Sequence, residues 1–221
     1  MPSGWERTAV RGSDVTPVIK RRGTLFVVSA PSGAGKTTLC REIRLQVPDL
    51  AYSVSVTTRP PRPGEMDGID FRFVGVDEFR AMLDRRELAE WATVHGNLYG
   101  TRARSLEDAL AVGRDVLLDI DTQGAAQLRD RYPDAVLIFI LAPSVKDLEH
   151  RLRERRSDAE VEIERRLVRA REEIALWRRY DYLIVNRDVK EALDQLESII
   201  MAERCRTARI DLSLPDLEVQ N

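Results

Sequence analysis

The feature that most limits what this chain can become is a junction near its start. Residues 24–29 read Thr-Leu-Phe-Val-Val-Ser, a short apolar run that predicts a strand buried on both faces. It breaks at Ala30-Pro31-Ser32-Gly33-Ala34-Gly35. From Lys36 to about Val47 the spacing predicts a helix, which ends before Pro48. Strand, glycine loop and helix in that order open a parallel α/β sheet.

The loop also carries chemistry. The strict phosphate-loop pattern wants glycine where Ala30 stands, and Gly35, Lys36 and Thr37 fit the remainder. Glycines let main-chain N–H groups turn inward around phosphate oxygens, and the helix N-terminus adds its positive dipole end. Lys36 would reach the β- and γ-phosphates, and the Thr37 hydroxyl can ligate Mg²⁺. The alternative is a plain glycine turn ending a strand. The strand and helix on either side favour the phosphate reading.

The chain has 221 residues and a mass of 25.2 kDa, which predicts one enlarged α/β domain. A formal charge of −2 gives no global basic field, so no nucleic-acid partner is expected. No apolar run approaches the ~18 residues of a membrane span, and the N-terminus lacks the apolar stretch of a secretory signal. A cytoplasmic protein with no membrane partner is therefore expected. Cys40 and Cys205 read as reduced thiols, and two isolated histidines, His95 and His150, make no zinc signature.

Residues 1–22 are polar and turn-rich and predict a flexible extension, with Lys20, Arg21 and Arg22 as a solvated basic cluster. Residues 52–58 alternate and predict one strand; the proline-rich 59–64 cannot be regular. Further on, 71–74 predicts a strand and 77–87 a helix, and 90–94 with 98–101 a hairpin. Helix 105–112, with Ser105 as cap, precedes strand 115–121, helix 122–131 and strand 135–141. Two Arg-rich helices, 144–156 and 159–179, then lead to strand 182–186, helix 188–206 and a loose 207–221. Trp91 and Trp177 fit packing positions. The expected fold is α/β, a central parallel sheet flanked by helices. Its core is 23–51, 102–143 and 180–206, with a mixed β-rich insertion at 52–101 and lid and connecting helices at 144–179.

Asp119 and Asp121 sit where open α/β sheets place ligands, at the C-terminal end of an apolar strand. One could serve Mg²⁺ and the other a polar substrate edge; strand-end capping is the weaker alternative.

Together these residues resemble guanylate kinase, of the bacterial soluble type, from about Thr24 to Arg204. The likeness rests on the loop 29–36, on Ser53-Val-Ser-Val-Thr-Thr-Arg59-Pro-Pro-Arg62-Pro-Gly-Glu65, on Glu90-Trp91-Ala92, on 96–101 and on 118–124. It implies a P-loop kinase moving a phosphoryl group from ATP to GMP or dGMP. By resemblance, Ala30, Pro31, Ser32, Gly33, Ala34, Gly35, Lys36, Thr37 and Thr38 would hold ATP, with Mg²⁺ on Thr37 and Asp119. Arg59, Arg62 and Tyr99 would grip the GMP phosphate, since guanidinium forks match phosphate bidentately. Ser55, Glu90, Thr101 and Asp121 would read guanine, whose N1–H and N2–H₂ donors select carboxylate acceptors. Glu65 matches an acid of the family, its partner open.

The family commonly has Tyr where Phe71 stands, so one hydroxyl toward the GMP phosphate is missing. Arg155 and Arg166 match two phosphate-contacting arginines of the family's lid, although Arg156 replaces the usual glycine. Arg151, Arg153, Arg165, Arg169 and Arg171 read as a solvated face. Asn186 falls where the family meets adenine, or simply caps a strand.

Two other readings stand beside the kinase. Guanylate-kinase-like scaffolds use this cleft for phosphopeptides, but Lys36, Thr37 and Asp119 would be superfluous there. Related P-loop kinases phosphorylate sugar phosphates; the guanine readers oppose that and Phe71 keeps it open. A homo-oligomer is left open.

Overall fold

The structure is a computed structural model and describes residues 18–94, 96–154 and 160–213. Its centre is a five-stranded sheet of β2 (Leu25–Ser29), β3 (Leu50–Tyr52), β8 (Asp115–Asp119), β9 (Val136–Leu141) and β10 (Tyr182–Val185). All neighbours are parallel, in the order β10-β9-β2-β8-β3. The apolar runs do not alternate with polar residues because helices cover both faces.

Alternation instead sorts the apolar side chains between two cores. Phe26 and Val28 face α1 (Lys36–Gln46) and α7 (Val189–Arg204), packing with Leu39, Ile43, Leu196 and Ile200. Leu25 and Val27 face α3 (Ala103–Ala111) and α4 (Thr122–Arg131), packing with Leu106 and Leu128.

The insertion forms a second sheet of β4 (Val56–Thr57), β5 (Arg72–Phe73), β6 (Leu88–Val94) and β7 (Asn97–Arg102), in the order β5-β4-β7-β6. β4 and β5 are parallel and the other pairs antiparallel. A small core of Val56, Phe79, Met82 and Leu88 joins it to α2 (Val76–Asp84). Two helices, α5 (Val145–Glu154) and α6 (Glu160–Ala175), stand over the phosphate loop.

Four expectations need correction. The strand expected at 52–58 is two strands in different sheets: Tyr52 pairs with Leu117, whereas Val56 pairs with Gly100 and Arg72. Alternation identifies extended backbone without saying which sheet receives it. The chain ends are not loose throughout, for β1 (Val18–Arg21) and β11 (Ile210–Ser213) pair antiparallel. The anchor is Asp115, fully buried, whose carboxylate takes Arg21 at 2.5 Å, Arg204 at 2.7 Å and the Thr24 N–H at 2.8 Å. Ser105 lies inside α3, whose cap position is Arg102. Trp91 is 42% exposed, not core. Among the described residues, no helix is long and apolar enough to cross a membrane. Cys40 is buried, Cys205 exposed, and both are free.

Candidate active site

The phosphate loop follows β2 and is held in one shape. Gly33 and Gly35 have φ of 90° and 94°, a left-handed conformation that side chains resist. Gly35 is the cap position of α1 and brings no side-chain hydrogen bond, so the first amides of the helix remain available to an anion. The loop bounds a cavity of about 240 Å³ lined by Ala30, Pro31, Ser32, Gly33, Gly35, Lys36, Thr37 and Thr38. Arg166 and Arg169 of α6 close its far side.

Ala34 and Asn186 brace the loop from behind. Ala34 is fully buried, and its carbonyl accepts from Asn186 Nδ2 at 2.8 Å. Asn186 is 2% exposed and lies outside the cavity lining, behind the loop. A Cβ on residue 35 would stand 2.4 Å from Asn186 Nδ2, so glycine is also what lets the asparagine approach.

A second cavity, of about 520 Å³, lies between α1, the C-terminal end of β8 and the insertion sheet. Ser55, Arg59, Arg62, Glu65, Phe71, Glu90, Tyr99, Asp119 and Asp121 all line it. At one end Arg59 pairs with Glu65 at 2.8 Å, and Glu65 also accepts the Arg62 N–H at 2.7 Å. That pairing gives Glu65 its partner, and the Arg59 guanidinium holds its carboxyl below the usual range. The Arg59 guanidinium lies 5.3 Å from the Phe71 ring centroid, and Phe71 meets Tyr99 edge-on at 6.0 Å. Phe71 thus orients the two groups assigned to the phosphate without donating to it.

Deeper in the cavity, Glu90 is 4% exposed and accepts the Thr101 hydroxyl at 2.6 Å. Burial pushes its carboxyl up to about 7, despite the opposing hydrogen bond from Thr101. Thr101 is itself fully buried, does not line the cavity, and turns its hydroxyl to Glu90. Asp121 caps α4, its Oδ1 accepting the N–H groups of Gln123 and Gly124 at 3.1 and 2.9 Å.

The two cavities share Lys36, Thr37, Val94 and Asp121. At this seam Lys36 Nζ bonds to Asp119 Oδ1 and reaches the Ile120 carbonyl at 3.3 Å. Burial pulls the ammonium's pKa down, but the charge and hydrogen bond of Asp119 outweigh it and leave the group raised.

A family model described as guanylate kinase matches residues 22–203. The chain belongs to the guanylate kinase family. It is 55% identical over 192 residues to a guanylate kinase of Geobacter sulfurreducens, covering 87% of this chain and 95% of that protein. To one of Syntrophotalea carbinolica it is also 55% identical over 192 residues, covering 87% and 91%. The crystal structure of guanylate kinase from Anaplasma phagocytophilum superposes with a TM-score of 0.74 at 36% identity, covering 87% of this chain and 92% of that one.

In this family member the described residues add groups that the sequence reading passed over. Arg169, read as solvated, lines the first cavity and reaches Asp121 at 3.4 Å and Glu173 at 3.1 Å. The signal was available: Arg166, Arg169 and Glu173 fall at i, i+3 and i+7, one face of α6. Arg41, Arg44 and Tyr52 line the second cavity, with Arg44 stacked 4.0 Å over the Tyr52 ring. They come from α1 and β3, and only the fold brings them to the insertion. Arg155 lies outside the described residues.

Proposed function

We propose that this chain transfers the γ-phosphoryl group of ATP directly to the phosphate of GMP or dGMP, at the seam where its two cavities meet. As a member of the guanylate kinase family it is a nucleoside monophosphate kinase, an ATP:GMP phosphotransferase. The observation that carries the residue-level reading is the shared lining at Lys36, Thr37, Val94 and Asp121. It supports two nucleotides lying end to end, ATP on the loop and GMP against the insertion.

The acceptor is already an anion, so no strong general base is needed, and catalysis is positioning plus charge stabilisation. Loop amides and Lys36 hold the donor phosphates. Arg59, Arg62 and Tyr99 hold the acceptor phosphate. Glu90 and Asp121 accept the guanine N1–H and N2–H₂ donors, and adenine, lacking that edge, leaves a buried acceptor unpaired. Arg155 and Arg166 come from the lid, whose closure excludes water that would otherwise hydrolyse ATP.

Mg²⁺ would sit on the Thr37 hydroxyl and the Asp119 carboxylate, an oxygen-only pair suited to a hard cation. No group of three or more His, Cys, Asp or Glu among the described residues could hold a metal alone, so nucleotide phosphates would complete its shell. Bound there, it would neutralise charge on the transferring group. The cytoplasm is the compartment this nucleotide chemistry suits.

A coupled assay with ATP as donor and GMP, dGMP, AMP, UMP or dTMP as acceptor tests the reading. GMP and dGMP turn over and the others lag by about 100-fold or more. Equal rates on AMP would refute the assignment of the base readers.

A further inference from the structure

α4 lies across the open edge of β6 and grips it with one face. Gly124, Gln127 and Arg131 stand on that face, spaced i, i+3 and i+7. The Gln127 amide makes two bonds to a single residue of the strand. Its Oε1 accepts the Trp91 N–H at 3.1 Å, and its Nε2 donates to the Trp91 carbonyl at 2.7 Å. Arg131 donates to the Leu88 carbonyl at 3.0 Å. An edge strand ordinarily leaves such groups to solvent or to another chain. Here one side-chain amide stands where a further strand would.

The position of that grip matters more than its strength. The N–H that Gln127 holds belongs to the Glu90–Trp91 peptide. The ladder between β6 and β7 shifts register between Leu88 and Glu90, immediately before this peptide, and runs in regular pairing with β7 from Glu90 onward. The same helix leaves room for the carboxylate: a Cβ on residue 124 would stand 2.4 Å from Glu90 Oε2. Its N-terminal cap is Asp121, a second carboxylate of the same pocket.

We propose that Gln127 is a positioning residue for base selection: through the Trp91 main chain it sets Glu90 at a fixed spacing from Asp121, with Gly124 giving the carboxylate its place. This rests on Glu90 and Asp121 being the guanine acceptors. The donors on guanine are rigidly spaced, so two acceptors on one helix frame select it, and acceptors that drift apart lose that selection.

The test compares GMP with AMP in purified Gln127→Met, Gln127→Ala, Gly124→Ala and Glu90→Gln. Gln127→Met keeps the length and packing of the side chain and removes both hydrogen bonds. We expect it to raise KM for GMP and lower the GMP-to-AMP ratio of kcat/KM by about tenfold, with KM for ATP within about twofold. Gln127→Ala should match it. Gly124→Ala leaves the Gln127 bonds in place and should shift the same ratio by displacing Glu90. Melting curves establish that each variant is folded. A ratio unchanged in folded Gln127→Met, while Glu90→Gln collapses it, overturns the proposal and leaves the guanine reading standing. A rise in KM for ATP equal to that for GMP also overturns it, because the effect is then general loosening. An unchanged ratio in Glu90→Gln overturns the guanine reading itself.

Discussion

The two cavities are built on opposite plans. The donor side is built on one contiguous loop, set by two left-handed glycines and locked from behind by Asn186, with Arg166, Arg169 and Glu173 of α6 across from it. The acceptor side gathers side chains from α1, β3, the 59–65 and 69–71 segments, β6, β7 and the end of β8. Main-chain amides can bind any phosphate and tell the chain what reaction to run. In the proposed reading, side chains on separate elements choose the substrate, and they depend on how those elements pack.

This contrast can be broken most sharply at the loop. Lys36→Ala should lower kcat by about 10³-fold on every acceptor alike, with the protein still folded by melting curve. A loss confined to GMP would mean that Lys36 belongs to the acceptor side. Glu90→Gln should do the opposite, lowering the GMP-to-AMP ratio of kcat/KM by about 100-fold with KM for ATP unchanged.

The same residue gives a pH signature. Glu90 titrates at about 7 in the fold against an ordinary 4.5, so the native state holds the proton more tightly than the unfolded chain. Its burial therefore costs stability as pH rises from 4.5 through 7, and Glu90→Gln should melt higher than the native chain at pH 8 but not at pH 4. Only the ionised carboxylate accepts both guanine donors. KM for GMP should fall about tenfold between pH 6 and pH 8, in excess of any change seen in Glu90→Gln. An identical profile in both proteins would remove Glu90 from base reading. The smallest effect is a gain. Phe71→Tyr restores a hydroxyl beside Arg59 and Tyr99 and should lower KM for GMP about threefold, read from initial rates at fixed ATP.

The contrast also explains what was legible beforehand. The loop could be read because strand, glycines, Lys36 and Thr37 are consecutive, and local spacing is what a sequence displays. The parallel core followed from apolar runs without alternation. The split of 52–58 into two sheets was hidden because extended backbone looks the same in either. The hydrogen bonds from Thr101 to Glu90 and from Asn186 to the Ala34 carbonyl were hidden as well, because each joins residues that no local spacing relates. Arg169 was set aside with its neighbours on α6, since a charged face looks uniform until something packs opposite it. Arg21 looked like part of a basic tail because its partner, Asp115, is far along the chain.

In the proposed mechanism the cavities form one continuous site in which two nucleotides meet at Lys36 and Asp121. It is tested most directly with a ligand that joins adenosine and guanosine, 5′ to 5′, through an oligophosphate chain. This single molecule should compete with ATP and with GMP alike and raise the melting temperature more than either nucleotide alone. Competition against only one of them would contradict the shared seam.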